Sequence, residues 1–528
     1  MYKLLLSCAV VLSGLVVSAQ GPYWQQHVKY TIDVQLNDAA KSISGTETVV
    51  YTNHSPHNLE FIWFHIWPNA YKNEETALYR QLKADAERKK KLTEKSFGSI
   101  ENLAFTINGK AARTAPHSDP RNIDVIKVML ETPLAPGASV TISTPFTVKL
   151  PPYFSRSGWA EGEFMLCQWY PKPAVYDKDG WHEMPYLDMG EFYSEYGDYT
   201  VNITVPSGYV VSATGELKTA AELDRYKTIG KQNALNREGK LQPYTWPGKE
   251  AEKTLKYEAT NVPDFAWFAD KSYIIQYDTV QLASGRIIDA FTYAYAKDTT
   301  PWRESIDFVE DAVRRYSNWV GEYAYPVVQA VEGPKNNSSG GMEYPMVTLI
   351  TSPDAKKESL DAVIAHEVGH NWFMSMLGSN ERIHAWMDEG LNTYFQFRYE
   401  AEKYRTNSIF GGMIPKEVKE KPVDEFLGII YNVMNGLPMN APIETPSDKF
   451  ANSEEYGIVS YVKTSVWMYL LEMAVGREKL DKAVKNYFNK WNGKHPQPQD
   501  MKAAFEEATG EQLDKLFALL NKKGQLVK

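Results

Sequence analysis

The period of the apolar residues changes once along this chain, and that change limits the folds open to it. Up to about residue 295 the period is two. In YTIDVQL, Tyr30, Ile32, Val34 and Leu36 alternate with polar residues, as a strand with one buried face requires. SVTISTPFTVKL repeats the pattern at Val140, Ile142, Phe146 and Val148, and YTVNITVP repeats it at Val201, Ile203 and Val205. Gly, Pro and Asn clusters punctuate the runs. From about residue 300 the period is helical. PWRESIDFVEDAVRRYSNWVGEY sets Ile306, Val309, Val313 and Tyr316 on one face, with Pro301 suited to a first turn. The reading is a multidomain α+β protein, with a β-rich domain over residues 20–295 and a mainly helical domain over 296–528. Two polar stretches stand apart: 74–95 reads as a helical insertion and 216–255 as a surface excursion. There is no repeat of fixed period.

A chain of 528 residues exceeds one ordinary core. Its 14 Trp, 33 Tyr and 21 Phe exclude a disordered polymer. A net charge of −9 argues against nucleic acid as a partner. The basic run Arg88-Lys89-Lys90-Lys91 has acids on both sides and reads as a solvated helix face. The first 19 residues, MYKLLLSCAVVLSGLVVSA, have one early Lys, an apolar run and small residues at a cleavage site. That is a secretory signal. No other apolar run is long enough to cross a bilayer, so no integral span is expected in the mature chain. Cys8 leaves with the signal, and Cys167 alone forms no internal disulfide. An exported protein of a bacterial periplasm or cell envelope, or a secreted one, fits these features.

The chemistry concentrates in KESLDAVIAHEVGHNWFM, residues 357–374, where Leu360, Val363, Ile364 and Val368 give a helical apolar pattern. Side chains four apart lie one turn above each other. His366 and His370 therefore point the same way and can reach one ion. Glu367, about 100° round the helix, is off that line but close enough to hold a water that the ion also holds. A catalytic zinc needs a third protein ligand and an open position. Glu389, in AWMDEGLNTYF and separated from His370 by 18 residues, can supply it from a second helix packed antiparallel to the first. Asp388 is the nearest rival. The competing reading is a helix that merely contains two histidines.

His366-Glu367-x-x-His370 with Glu389 after 18 residues resembles the aminopeptidase N family of zinc metallopeptidases. GGMEYP at 340–345 supports the resemblance. The family usually shows Gly-x-Met-Glu-Asn there; Gly340, Met342 and Glu343 fit, and Tyr344 stands where Asn is usual. The resemblance covers nearly the whole mature chain. It implies a saddle-like β-rich domain followed by a thermolysin-like catalytic domain. It also implies one Zn²⁺ per chain on His366, His370 and Glu389, with Glu367 as general base. Tyr461, in EEYGIVSYVKTSV, would donate to the oxyanion, with Tyr456 as runner-up. Glu343 would meet the free ammonium of a peptide substrate, and Gln168, in FMLCQWYPKP, would be a further substrate contact. Gly340, Gly341 and Met342 leave backbone groups for an extended peptide. The implied activity is removal of N-terminal residues from peptides. About sixty residues follow SVWMYLLE, too few for the large C-terminal helical domain of many relatives, so an open cleft is expected. Two alternatives remain. A thermolysin-like endopeptidase shares the histidine pair but has no use for Glu343. A non-catalytic peptide-binding relative keeps the shape and not the turnover.

Overall fold

A computed structural model describes residues 23–84, 89, 92, 97–296, 299–335, 340–352 and 355–527. The signal read over 1–19 lies outside them, as do Arg88, Lys90 and Lys91. Of the helical insertion read over 74–95, the helix Ala77–Ala84 is described.

Alternation builds the first domain. In His27–Asn37, alternate residues from Val28 to Leu36 are buried. This strand pairs antiparallel with Ser42–Thr52, setting Tyr30 opposite Val49. It pairs in parallel with Gly197–Pro206, setting Tyr30 opposite Tyr199. Around them runs a nine-stranded sheet. Its order is Glu216–Leu217, Glu252–Val262, Gly197–Pro206, His27–Asn37, Ser42–Thr52, Ser139–Lys149, Thr106–Ile107 and Lys110–Ala111, with Ser99–Glu101 also paired to Ser139–Lys149. Two four-stranded sheets and the two-stranded pair Tyr176–Asp177 and Gly180–Trp181 complete the β-rich part. One runs Gly158–Ala160, Glu163–Leu166, Trp267–Asp270, Val210–Ala213; the other runs Lys172–Pro173, Leu59–His65, Val125–Leu134, Thr114–Pro116. Trp169 and Trp267 are fully buried and cross edge to face, an arrangement that aromatic quadrupoles favour.

A five-stranded sheet leads into the second domain, in the order Tyr273–Gln281, Ile287–Tyr295, Val327–Glu332, Val347–Ile350, Gly341–Tyr344. The outer pairs are antiparallel and the inner ones parallel. Its first two strands end at residue 295, so the boundary read from the apolar period falls inside this sheet. The period is a local property, whereas membership of a sheet is settled by pairing with distant strands.

Residues 216–255 differ from the surface excursion read from their polarity. They contain the helix Ala220–Leu235, which packs on Tyr273–Gln281. Its buried positions are Glu222, Tyr226, Gly230, Asn233 and Ala234. Polar groups enter this interface because they are paired. Glu222 takes the Lys253 ammonium at 2.5 Å and the Tyr244 hydroxyl at 2.7 Å, which offsets the desolvation of both charges.

The helical part stacks in layers. Ser305–Trp319 buries Ile306, Val309, Val313 and Tyr316 against Lys357–Gly369. That helix packs on Glu389–Tyr404, which packs in turn on Thr464–Val475. Arg477–Trp491 and Pro498–Thr509 then pair with each other. The last of these opens with a capping box between Gln497 and Asp500 and stops at Gly510, at φ +72°. Among the described residues, no helix is long and apolar enough to cross a membrane.

Candidate metal centre

Two helices deliver three donor atoms to one point. Lys357–Gly369 carries His366, and His370 is the residue that closes this helix. Glu389 is the first residue of Glu389–Tyr404. The two imidazole Nε2 atoms are 3.1 Å apart, and each lies 3.3 Å from Glu389 Oε2. Donors held tetrahedrally at about 2.0–2.1 Å from a zinc ion stand about 3.3 to 3.4 Å from one another. The spacing and the nitrogen, nitrogen, oxygen set both fit that ion.

The neighbours fix how the donors point. His370 Nδ1 donates to Asp388 Oδ1 at 2.6 Å and lies 3.1 Å from the Phe373 carbonyl. This leaves Nε2 with its lone pair toward the shared point, the usual arrangement behind a metal-bound imidazole. Asp388, the rival ligand in the sequence, thus sits on the far side of the ring. Asn392 donates to the His366 carbonyl at 2.7 Å and accepts from Tyr316 at 2.9 Å. A Cβ at Gly369 would stand 2.1 Å from Asn392 Oδ1, so only glycine lets the two helices approach this closely.

Glu367 lies beside the donors, buried, with Oε2 lacking a hydrogen-bond partner among the described residues. Burial pushes its carboxyl up to about 8. The edge strand Gly341–Tyr344 lies against it. A Cβ at Gly341 would fall 2.5 Å from Glu367 Cγ, Cδ and Oε1. Gly341→Ala is therefore expected to displace this carboxylate, leave bound metal unchanged and lower peptidase kcat/KM by about 10²-fold. Steady-state kinetics with metal analysis checks this; full activity would show that the carboxylate position is not critical.

Glu343 is buried on the same strand, with a carboxylate oxygen within 4.8 Å of a donor atom on each of Glu367 and His370. The carbonyl of Gly340 is engaged inside the protein, by Thr351 N at 2.9 Å and Ser352 Oγ at 3.0 Å. The carbonyl of Met342 accepts from Thr348 at 3.1 Å. Tyr344, where the family pattern has Asn, places its hydroxyl 3.1 Å from Gln168 Oε1 and 3.2 Å from Met342 Sδ. Gln168 is buried at φ +48°, and its amide nitrogen donates to Asp264 at 3.4 Å. The β-rich part thus brings Gln168 to the Glu343 strand.

Tyr461 donates to Glu389 Oε1, and its ring lies nearly parallel to that of His366. It sits in a wide turn, the π-helical segment Ile458–Lys463, a form of helix found often at functional sites. Tyr456 is buried, and its hydroxyl lacks a partner among the described residues. In the same turn Lys463 donates to the carbonyls of Ala441 at 2.6 Å, Lys522 at 2.8 Å and Met439 at 3.3 Å. Burial lowers its ammonium to about 8.

Reading the sequence did not single out Arg156, Glu191 or Glu381. Arg156 pairs with Glu191, and single oxygens of Glu191, Glu343 and Glu381 lie within 4.8 Å of one another. The available signal was position. Glu381 lies in the 18-residue link between His370 and Glu389, which has to skirt the donors.

Residues 305–519 match the peptidase family M1 domain. Leucine aminopeptidase 2 of Aspergillus clavatus is 29% identical over 236 residues, which are 42% of this chain and 36% of that protein. The protein of the same name from Emericella nidulans is 31% identical over 207 residues, 38% of this chain and 30% of that one. The chain thus spans about a third of the length of the curated relatives it matches. A crystal structure of an M1 zinc metallopeptidase from Deinococcus radiodurans superposes with a TM-score of 0.61 at 15% identity, covering 94% of each chain. Aminopeptidase A of Legionella pneumophila superposes with a TM-score of 0.63 at 13% identity, covering 96% of this chain and 50% of that one. At such identities the likeness speaks for the fold alone. The likeness in sequence thus lies in a peptidase family M1 domain matched over residues 305–519.

Proposed function

We propose that this chain is an aminopeptidase that removes single residues from peptides with a free N-terminus and holds one Zn²⁺ on His366, His370 and Glu389. The observation that carries the reading is the place of Glu343 relative to Glu367 and His370, each with a donor atom within 4.8 Å of the others. Burying an ammonium is costly unless a carboxylate meets it, and Glu343 can do so. The nitrogen and carbonyl carbon of one residue are only about 2.5 Å apart across Cα. An ammonium on Glu343 therefore sets the carbonyl of that same residue beside Glu367.

Zinc, when bound, polarises that carbonyl and makes a water acidic enough to attack at neutral pH. Glu367 takes the proton of the attacking water and returns it to the leaving amine; its partnerless Oε2 is free to accept. Tyr461, already directed at Glu389, donates to the oxyanion as it develops. Asp388 holds the His370 ring in the tautomer this requires. Gln168 borders the ammonium pocket, and the main chain of Gly340, Gly341 and Met342 lines the path of an extended peptide.

Cleavage of one peptide with a free and with an acetylated N-terminus tests the reading. The free peptide is expected to shorten from its first residue, and the acetylated one to resist. Internal cleavage of the acetylated peptide would favour an endopeptidase. Binding of the free peptide without turnover in added zinc would favour a non-catalytic relative.

A further inference from the structure

Beyond Glu343 lies a cavity of about 30 Å³, room for a water or two. Arg156, Glu191, Asp264, Glu343, Ser379 and Glu381 are among the residues that line it. Asp264 takes the buried Lys172 ammonium at 2.7 Å, so that pair is neutral. The remaining charges do not balance. Glu191, Glu343 and Glu381 bring three buried carboxylates. Arg156, paired with Glu191, and Arg382, next in the chain to Glu381, bring two buried guanidiniums. One negative charge is left over. Glu343 and Glu381 have no hydrogen-bond or ion-pair partner among the described residues. A second feature is independent of charge. Ser379, 2% exposed and on the cavity wall, has a buried hydroxyl that also lacks a partner among the described residues. Buried polar groups in folded proteins are almost always paired, so this lining fits a small cationic guest.

We propose that Glu191 and Glu381 join Glu343 in a tripod that takes all three N–H bonds of the substrate's α-ammonium. The inference rests on the aminopeptidase reading and names two further residues that touch the substrate. One oxygen from each of the three carboxylates lies within 4.8 Å of the other two. Three such atoms all stand within about 2.8 Å of one shared point, the length of a charge-assisted N–H···O bond. An ammonium group takes up about the space of one water and carries the single positive charge that the cluster lacks. Gln168, on the same cavity, is already engaged: its amide nitrogen donates to Asp264 and its oxygen accepts from Tyr344. Glu343 also belongs to the trio with Glu367 and His370, so an ammonium on the tripod stays one residue's reach from the reacting carbonyl. The site then demands a primary amine. A secondary one brings two N–H bonds and a carbon for which a cavity of this size has no room.

The test compares alanyl p-nitroanilide with its N-methyl analogue on zinc-loaded protein. Wild type is expected to favour the primary amine in kcat/KM by about tenfold or more. A lone carboxylate would take one N–H and tolerate the methyl, so equal use of both substrates overturns the tripod. Glu381→Gln keeps the shape and removes the surplus charge. It is expected to raise KM for alanyl p-nitroanilide by about tenfold or more. Its kcat should stay within a few-fold, because the ammonium is held alike in the ground state and the transition state. An unchanged KM in a folded, zinc-loaded Glu381→Gln protein overturns the inference and leaves the aminopeptidase reading standing. Failure of wild type to cleave any aminoacyl p-nitroanilide overturns that reading, and this inference with it.

Discussion

Glu367→Gln is expected to keep its metal and to lose kcat/KM by about 10³-fold or more. The substitution changes shape little, which matters where a Cβ on the facing glycine would already sit 2.5 Å from this side chain. The donors His366, His370 and Glu389 are held by other groups: Asp388, Asn392 and Tyr461. None of these contacts uses Glu367, so the ion should stay. What the amide lacks is the capacity to accept a proton from water and hand it on. Metal analysis beside steady-state kinetics on aminoacyl arylamides separates the two effects. Activity within a few-fold of wild type, at full metal occupancy, would refute the assigned base.

Removing the metal should have the other large effect. Treatment with a chelator is expected to abolish peptidase activity, and Zn²⁺ to restore it. It should also lower the melting temperature by several degrees. A ligand that binds only the folded state stabilises it by about 4 kcal/mol at a thousand times its dissociation constant. The geometry supplies a second reason. Three donor atoms 3.1 to 3.3 Å apart need either an ion or shared protons between them. Peptidase assays and scanning calorimetry of treated and reconstituted protein read the two consequences. Unchanged turnover after verified metal removal would sink the metal-dependent reading.

Much of the scaffold was legible because its cause is local. Alternation at Tyr30, Ile32, Val34 and Leu36 is the buried face of His27–Asn37. The periodicity of Ile306, Val309, Val313 and Tyr316 is the buried face of Ser305–Trp319. The spacing of His366 and His370 needs only a helix to bring their rings together. Other features depend on partners far along the chain and carry no local mark. Ala220–Leu235 reads as polar because Glu222 and Asn233 are buried against distant groups, Lys253 and the Ile275 carbonyl. The sheet containing Ile287–Tyr295 draws its next strand from residue 327 onward. Asp388 is one residue from Glu389, yet its side chain serves His370 from behind, a distinction that spacing alone does not make. Glu381 falls in a link without periodicity, where nothing marks one acid from another until the fold sets it beside Glu343.

The wide turn at Ile458–Lys463 joins two things that lie far apart in the chain. Tyr461 reaches Glu389, and two residues on, Lys463 grips the carbonyl of Lys522. The tail is thus tied to the turn that holds the Tyr461 hydroxyl. A purification tag or fusion partner that pulls on the residues after Lys522 therefore loads this turn, so a handle placed ahead of the β-rich part is the safer choice for measuring turnover.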